Sequence, residues 1–466
     1  MKLKFLGANR QVTGSRHALE AAGQRIMVDC GLFQEREFAD RNWSPCPLCV
    51  DEIDALFLTH AHIDHSGLIP KLVADGYAGP IYALPPTIEL AGIMLLDSAE
   101  IQVEDSEYKK RRHQKEGRKP NRPVAPLYTP KDVDAALKLF QPVEYGEAVK
   151  LGDGLTATFR DAGHILGSGM LEVAVTEDDR QRRIAFSGDI GQWDKPLMHD
   201  PSFIAAADYV VMESTYGDRE HNRVDNVGDA LAEIAIETIT RGGNLVIPTF
   251  ALERAQEIMY YLSRLVHEKK IPPIPIYVDS PMATDVTEVF RNNRAYLDDE
   301  VQALVDSGQP PLRFPGLQFA HSTEESKAIN EERKPCVIMS PSGMCTAGRI
   351  KHHLRQNIGR PDCTVLFVGF QAHGTLGRQI LDGNPHVRIH GSDYKVRAKI
   401  AQIGGFSAHA DRSGLLRWLG GFEQPPRKVF LVHGEESVAL EFAQTVRTTV
   451  GCEVHVPEYC EDADLA

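Results

Sequence analysis

Three imidazoles and a carboxylate crowd into Thr59-His60-Ala61-His62-Ile63-Asp64-His65. Imidazole nitrogen is a common zinc ligand, and carboxylate oxygen serves as well. In an extended segment, residues two apart point the same way, so His60 and His62 can reach one metal ion together. Asp64 and His65 lie just past them and could serve a second ion about 3.5–4 Å away, the spacing of two-metal hydrolytic sites. The competing reading is a solvated loop that happens to be His-rich. Against it stands the position: the cluster follows an apolar run of strand type, residues 54–58, and Gly67 and Pro70 come soon after.

The elements that must hold these groups are short strands with tight turns. Residues 2–6, 17–21 and 25–29 read as strands before 54–58. Asp29 ends one of them, in Val28-Asp29-Cys30-Gly31. A carboxylate there can hydrogen-bond a ligating histidine, or can simply start a turn before glycine. From 149 to 213 the strand pattern returns. Asp161-Ala162-Gly163-His164 follows residues 155–160, Ser187-Gly188-Asp189 follows 183–186, and Glu213-Ser214-Thr215-Tyr216-Gly217 follows 209–212. Four strand ends delivering His, His, Asp and Glu suggest one edge of a sandwich where loops converge on a site.

Residues 214–389 change character. Helical patterns at 224–241, 252–268 and 284–293 alternate with β-rich runs at 244–248, 276–278, 336–339 and 364–368. The alternation argues for a parallel α/β layer, hence a second domain inserted into the first. The turns Ser340-Pro341-Ser342-Gly343-Met344 and Gln371-Ala372-His373-Gly374-Thr375 offer backbone N–H groups for phosphates. After 390 the strands resume. Gly405-Phe406-Ser407-Ala408-His409-Ala410-Asp411 opens a helix, and residues 429–432 lead into His433-Gly434-Glu435.

A chain of 466 residues has room for two or three domains. Its net charge of −14 argues against a protein that coats nucleic acid non-specifically. It leaves room for a nuclease, because metal ions and a local basic patch can supply the positive field. The most basic stretch runs from 108 to 120, beyond helical patterns at 67–75 and 87–103. It reads as a solvated loop, or as a mobile flap drawing phosphates to the metals through Lys109 to Lys119. No run is long enough to span a membrane, and the N-terminal apolar part is too short for a signal peptide. Eight scattered cysteines point to a reducing cytoplasm. Cys46-Pro47-Leu48-Cys49 has no second pair, so it reads as a loop with two incidental thiols, with a second kind of zinc site as the alternative.

Together these motifs resemble the metallo-β-lactamase superfamily, and within it the β-CASP nucleases of RNA processing. His60-x-His62-x-Asp64-His65, His164 and Asp189 match the superfamily's metal-ligand set. Glu213 with Ser214-Thr215-Tyr216, His409 in Phe406-Ser407-Ala408-His409, and His433 in Leu431-Val432-His433-Gly434-Glu435 look like the three further β-CASP motifs. Ser340-Pro341-Ser342-Gly343-Met344 and Gly374-Thr375-Leu376-Gly377-Arg378 resemble the inserted domain. The type most similar is the short bacterial or archaeal relative of the pre-mRNA 3′-end endonuclease.

The resemblance implies an α/β protein: an αββα sandwich over 1–208 and 390–466, with a β-CASP domain inserted at 209–389. It implies two Zn²⁺ ions, His60, His62 and His164 on the first, Asp64, His65 and His433 on the second, and Asp189 on both. His409 suits the general acid, because an imidazole ordinarily titrates near working pH, with Glu213 holding its tautomer. The implied activity is endonucleolytic hydrolysis of the phosphodiester bonds of single-stranded RNA by a two-metal mechanism, leaving 5′-phosphate and 3′-hydroxyl. RNA is favoured over DNA because family members acting on RNA tend to carry His at the place of His433. Arg254, Ser340, Ser342 and Ser407 are the substrate-binding candidates, and a glycine would be expected at Glu253. A small-molecule hydrolase of the same superfamily and a silent RNA-binding subunit are the alternatives. No membrane is implied, and a homodimer is one option for assembly.

Overall fold

Alternation along the strands builds two seven-stranded sheets. One runs, in spatial order, Glu461–Asp464, Lys2–Gly7, Arg16–Ala21, Gln24–Val28, Ala55–Phe57, Ile81–Ala83, Phe140–Pro142. The other runs Glu453–His455, Lys428–Val432, Tyr209–Glu213, Arg180–Phe186, Gly169–Glu177, Leu155–Asp161, Ala148–Leu151. Residues two apart share a face, and Lys428–Val432 shows the consequence. Val429 and Leu431 join Trp418, Phe442 and Val446 of the helices Arg412–Leu419 and Glu436–Val450. Phe430 turns the other way and meets Phe5 of the first sheet, ring centroids 5.1 Å apart. Phe57 and Phe159 meet across the same layer at 6.0 Å. Burying each such ring is worth about 1.5–3 kcal/mol. On the first sheet's side, the helix Pro85–Glu116 packs on Pro130–Leu137 and on the strand Phe140–Pro142. The result is an αββα sandwich.

In this computed structural model the described residues are 1–117, 124–221 and 226–465. The sandwich is the first of two compact units and comprises residues 1–194, 200–220 and 409–466. The second comprises 195–199 and 221–408. Its sheet has six parallel strands in the order Leu317–Phe319, Ile276–Val278, Val337–Ser340, Leu245–Pro248, Thr364–Phe367, Lys399–Gln402. Its helices start behind capping side chains: Ser280 accepts from Ala283 N and Ser322 from Glu325 N.

Two expectations change. The units part at 220/221 and 408/409, not at 208/209 and 389/390. Tyr209–Glu213 pairs with Arg180–Phe186 and Lys428–Val432 inside the sandwich, and Lys399–Gln402 completes the sheet of the second unit. Strand pairing is non-local, so composition shifts along the chain miss it. The basic stretch is no loop up to residue 116: it forms the last turns of Pro85–Glu116. Lys and Arg are good helix formers, and the helix stops only at Gly117, whose φ of 64° is left-handed. Arg118, Lys119 and Pro120 lie outside the described residues. Among the described residues, no helix is long and apolar enough to cross a membrane.

Candidate metal centre

The expected ligands all sit on or just past strand ends at one edge of the sandwich. Gln24–Val28 and Ala55–Phe57 run parallel, and so do Arg180–Phe186, Tyr209–Glu213 and Lys428–Val432. The edge therefore collects Asp29, the His60–His65 loop, Asp189, Glu213 and His433. Leu155–Asp161 adds His164, and His409 bridges to Gly191. Backbone bonds brace the loops: Ser15 N donates to Asp64 O at 2.8 Å and Cys30 N to His65 O at 2.7 Å. Two glycines permit the close approach. A Cβ at Gly31 would lie 1.6 Å from Asp64 O, and one at Gly191 would lie 1.8 Å from Gly163 O.

Both oxygens of Asp189 are surrounded. Oδ2 lies 3.4 Å from His60 Nε2 and 3.6 Å from His164 Nε2. His62 Nδ1 closes this group at 3.1 Å from His60 Nε2 and 3.3 Å from His164 Nε2. Asp189 Oδ1 lies 3.2 Å from His65 Nε2 and 3.6 Å from His433 Nε2. Asp64 Oδ2 completes that second group, 3.4 Å from His433 Nε2. The ligand-type atoms of His60, His62, His164 and Asp189 lie within 4.8 Å of one another, as do those of Asp64, His65 and His433. Neither Cys46 nor Cys49 belongs to such a group among the described residues; both are free thiols, and Cys49 Sγ faces Asp51.

Next to the histidines stand residues that aim them. Asp29 Oδ2 takes the bond from His65 Nδ1 at 2.7 Å, while Thr59 N donates to Asp29 Oδ1 at 2.8 Å. Thr59 Oγ1 also lies 3.1 Å from His60 Nδ1. Thr215 Oγ1 donates to Glu213 Oε2 at 2.6 Å and lies 3.0 Å from His433 Nδ1. Sequence reading missed Thr59 and Thr215 as contributors. Their signal was adjacency: each is a hydroxyl beside a ligand-type residue at a strand end.

The electrostatics divide the candidate ligands. Burial dominates at His60, His62 and His164 and favours neutral imidazole, taking His62 down to about 3. Burial opposes ionisation of Asp64 and Asp189, but the facing histidines outweigh it and hold both carboxyls below the usual carboxylate range. At His65 and His433 burial again opposes charge, and Asp189, with Asp29 or Asp64, outweighs it and raises both. His65 Nε2, His433 Nε2 and Asp189 Oδ1 are buried and make no hydrogen bond, although they face one another. Buried polar atoms without partners are costly. Neutral imidazoles, ionised carboxylates and orphaned nitrogens aimed at common points are what a pair of divalent cations would satisfy, and an N/O donor set suits zinc. The residues fit the group.

The four substrate-binding candidates belong to the second unit. Ser340 is fully buried and its hydroxyl donates to Asp279 O at 3.0 Å, so this side chain is not open to a ligand. Arg254 is buried with its guanidinium on Glu257 and over the ring of Phe406. Ser342 Oγ accepts from Thr346 N at 3.0 Å within its own loop. Ser407 is partly exposed. Glu253 has φ 64° and ψ −58°, a backbone conformation natural to glycine and strained for any other residue.

Comparison with known proteins matches these regions to three family models. A metallo-beta-lactamase superfamily domain covers residues 18–181. A Beta-Casp domain covers 255–380. A Zn-dependent metallo-hydrolase RNA specificity domain covers 393–457. Ribonuclease TTHA0252 of Thermus thermophilus is 41% identical over 440 residues, 94% of each chain. Transcription termination factor FttA of Methanosarcina mazei is 31% identical over 96% of this chain and 69% of its own. Its Methanocaldococcus jannaschii namesake is 30% identical over 98% and 70%. A crystal structure of a protein of unknown function from Enterococcus faecalis V583 shares the fold at TM-score 0.55, with 12% identity, over 100% of this chain and 99% of that one. The ordered domains and the near full-length likeness place the conclusion beyond the sandwich alone: the chain belongs to the β-CASP branch of the metallo-β-lactamase superfamily.

Proposed function

We propose that the chain is a zinc-dependent ribonuclease that cuts single-stranded RNA, acting within the strand and leaving 5′-phosphate and 3′-hydroxyl ends. The observation that carries this reading is Asp189, whose two oxygens each face a separate nest of ligand-type side chains. In this reading His60, His62 and His164 hold one zinc ion, Asp64, His65 and His433 hold the other, and Asp189 serves both. Bound zinc supplies Lewis acidity: a nucleophile from water near neutral pH and neutralisation of charge on the phosphoryl oxygens.

The chain's own residues do the rest. Asp29 and Thr59 keep His65 and His60 aimed, and Thr215 does the same for His433. Burial disfavours the charged form of His409, yet Glu213 and then Asp189 outweigh it and raise its pKa to about 9. Glu213 thus favours the protonated ring, the form a general acid needs. With Nδ1 held by Glu213, the proton His409 delivers to the leaving ribose O3′ is the one at Nε2. RNA as the substrate is supported by the relative named a ribonuclease and by the RNA specificity domain. Eight free cysteines support a reducing compartment, the cytoplasm. A silent RNA-binding subunit would have no use for a complete set of buried ligand-type residues.

The test is cleavage of a 5′-blocked, labelled single-stranded RNA with and without a chelator, with the product ends mapped. Internal cuts that carry 5′-phosphate and vanish with chelator are expected. A 2′,3′-cyclic phosphate end would show that the ribose supplies the nucleophile and would sink the mechanism.

A further inference from the structure

In the second unit, the loops that leave the sheet at its carboxyl edge carry two exposed phenylalanines. Phe250 follows the strand Leu245–Pro248 and Phe370 follows its parallel neighbour Thr364–Phe367. Phe250 is 44% exposed, and Phe370, at 64%, is the most exposed large apolar side chain among the described residues. Single exposed apolar residues are common and need no explanation. These two are set apart by topology. From Leu245–Pro248 the chain goes through the helix Arg254–His267 to Ile276–Val278, toward one edge of the sheet. From Thr364–Phe367 it goes through Leu376–Leu381 to Lys399–Gln402, toward the opposite edge. The two loops therefore part at a switch point, and in open α/β sheets ligands bind in the crevice that opens there.

The ground beneath the rings is built rather than loose. Gly343, in the loop after Val337–Ser340, lies against the Phe250 ring; a Cβ there would come within 2.9 Å of it. The buried Gln371 ties that loop to the next: its Nε2 donates to Gly343 O at 3.0 Å and to Gly369 O at 3.3 Å. Beside the Phe250 ring stand the backbones of two glycines, Gly343 and Gly369, the latter next to Phe370 in the chain; a Cβ on Gly369 would come within 4.0 Å of that ring. That composition is poor in the continuous apolar area a protein partner would cover. It suits flat groups that stack one at a time beside a polar backbone.

We infer that Phe250 and Phe370 form a stacking platform for unpaired bases of single-stranded RNA. The inference rests on the ribonuclease reading and extends it to where the strand is held. Phenylalanine offers a π-face and no hydrogen-bonding group, so the platform takes any base.

Binding of a fluorescein-labelled, uridine-rich 12-nucleotide RNA to the full, zinc-loaded chain tests this, with His409→Ala in every arm to slow cleavage. Phe250→Ala and Phe370→Ala should each weaken the Kd roughly 5- to 150-fold, the usual worth of a stacked base. Phe370→Trp should keep the affinity, and its emission should be quenched by RNA. Abasic sites in the RNA should weaken binding to the otherwise unaltered chain and add little in the double Phe→Ala variant. Unchanged affinity in the double variant, while the parent still cleaves RNA, overturns the platform and leaves the ribonuclease reading standing. A shifted oligomeric state with unchanged RNA affinity overturns it in favour of an interface between copies. A parent chain that neither binds nor cleaves RNA removes the ribonuclease reading itself, and the platform with it.

Discussion

His409 Nδ1 lies 3.0 Å from Glu213 Oε2, although 196 residues separate the two in the chain. The same ring nitrogen is 3.8 Å from Asp189 Oδ2, so the pair stands directly beside the candidate ligands. Glu213 is fixed in turn by Ile190 N and Thr215 Oγ1, at 2.5 and 2.6 Å. A carboxylate tied down this firmly can hold an imidazole in one tautomer.

Two variants separate proton transfer from metal binding. His409→Ala should lower kcat roughly 10²–10⁴-fold, the usual worth of a general acid, with zinc content unchanged by elemental analysis. Glu213→Gln removes the anion that raises the His409 pKa toward about 9. The acid must be protonated to act, so the alkaline limb of the rate profile should move to lower pH. Zinc lost from either variant would make that residue a ligand, since Glu213 also lies near Asp189 and His433.

Acidification should release zinc in two steps. His60, His62 and His164 are held neutral by burial and compete weakly for protons. His65 and His433 have raised pKa values and must give up a proton to bind a cation. The group with Asp64, His65 and His433 should empty first as pH falls, and loading it should release protons. Chelator-dye titration across pH and calorimetry in buffers of different ionisation enthalpy read these. A single-step release would contradict the division. Cys46→Ser with Cys49→Ser should leave a content of two zinc ions per chain.

The end of the helix Pro85–Glu116 presents Lys109, Lys110, Arg111 and Arg112 to solvent. Neutralising the four should raise KM for RNA and flatten its salt dependence, because fewer counterions are released on binding. Arg112 already pairs with Glu116 at 2.9 Å, so it should contribute least. An unaltered KM across a salt series would make this an ordinary solvated helix end.

Asp279 is fully buried in the second unit and accepts bonds from Ser326 Oγ, Arg349 Nη1 and His353 Nε2 at 2.5, 2.7 and 2.6 Å. Burial opposes its charge, but these three partners outweigh it and hold its carboxyl below the ordinary 3.8. A depressed folded pKa contributes stability that is present above the unfolded value and lost as pH falls through the folded one. Asp279→Ala should cost about 3–5 kcal/mol near neutral pH, the usual effect of removing one partner of a buried charged network. The gap in Tm between parent and variant should narrow below pH ~4. A gap independent of pH would mean that packing, not charge, accounts for the loss.

The sequence by itself determined the inventory of ligand-type residues and the strand ends that carry it. His60, His62, Asp64 and His65 were legible because ligand spacing is local, and Asp29, His164, Asp189, Glu213 and His433 because each breaks an apolar run. The sandwich and the parallel sheet were legible because strands alternate with period two and helices with period 3.6. Tertiary structure alone decided what the spacing left open. The choice for Asp29 between turn former and histidine partner fell to the 2.7 Å contact with His65, which depends on two strands pairing. The roles of Thr59 and Thr215 follow from which rings their hydroxyls meet. Burial withdrew Ser340 and Arg254 from the exposed surface, since a polar residue at a strand end can face the core as easily as solvent. The unit boundaries followed Tyr209–Glu213 and Lys399–Gln402, whose hydrogen bonds go to strands far away in the chain. Local chemistry is written in residue order, whereas pairing and burial are set by which surfaces the whole chain can cover at once.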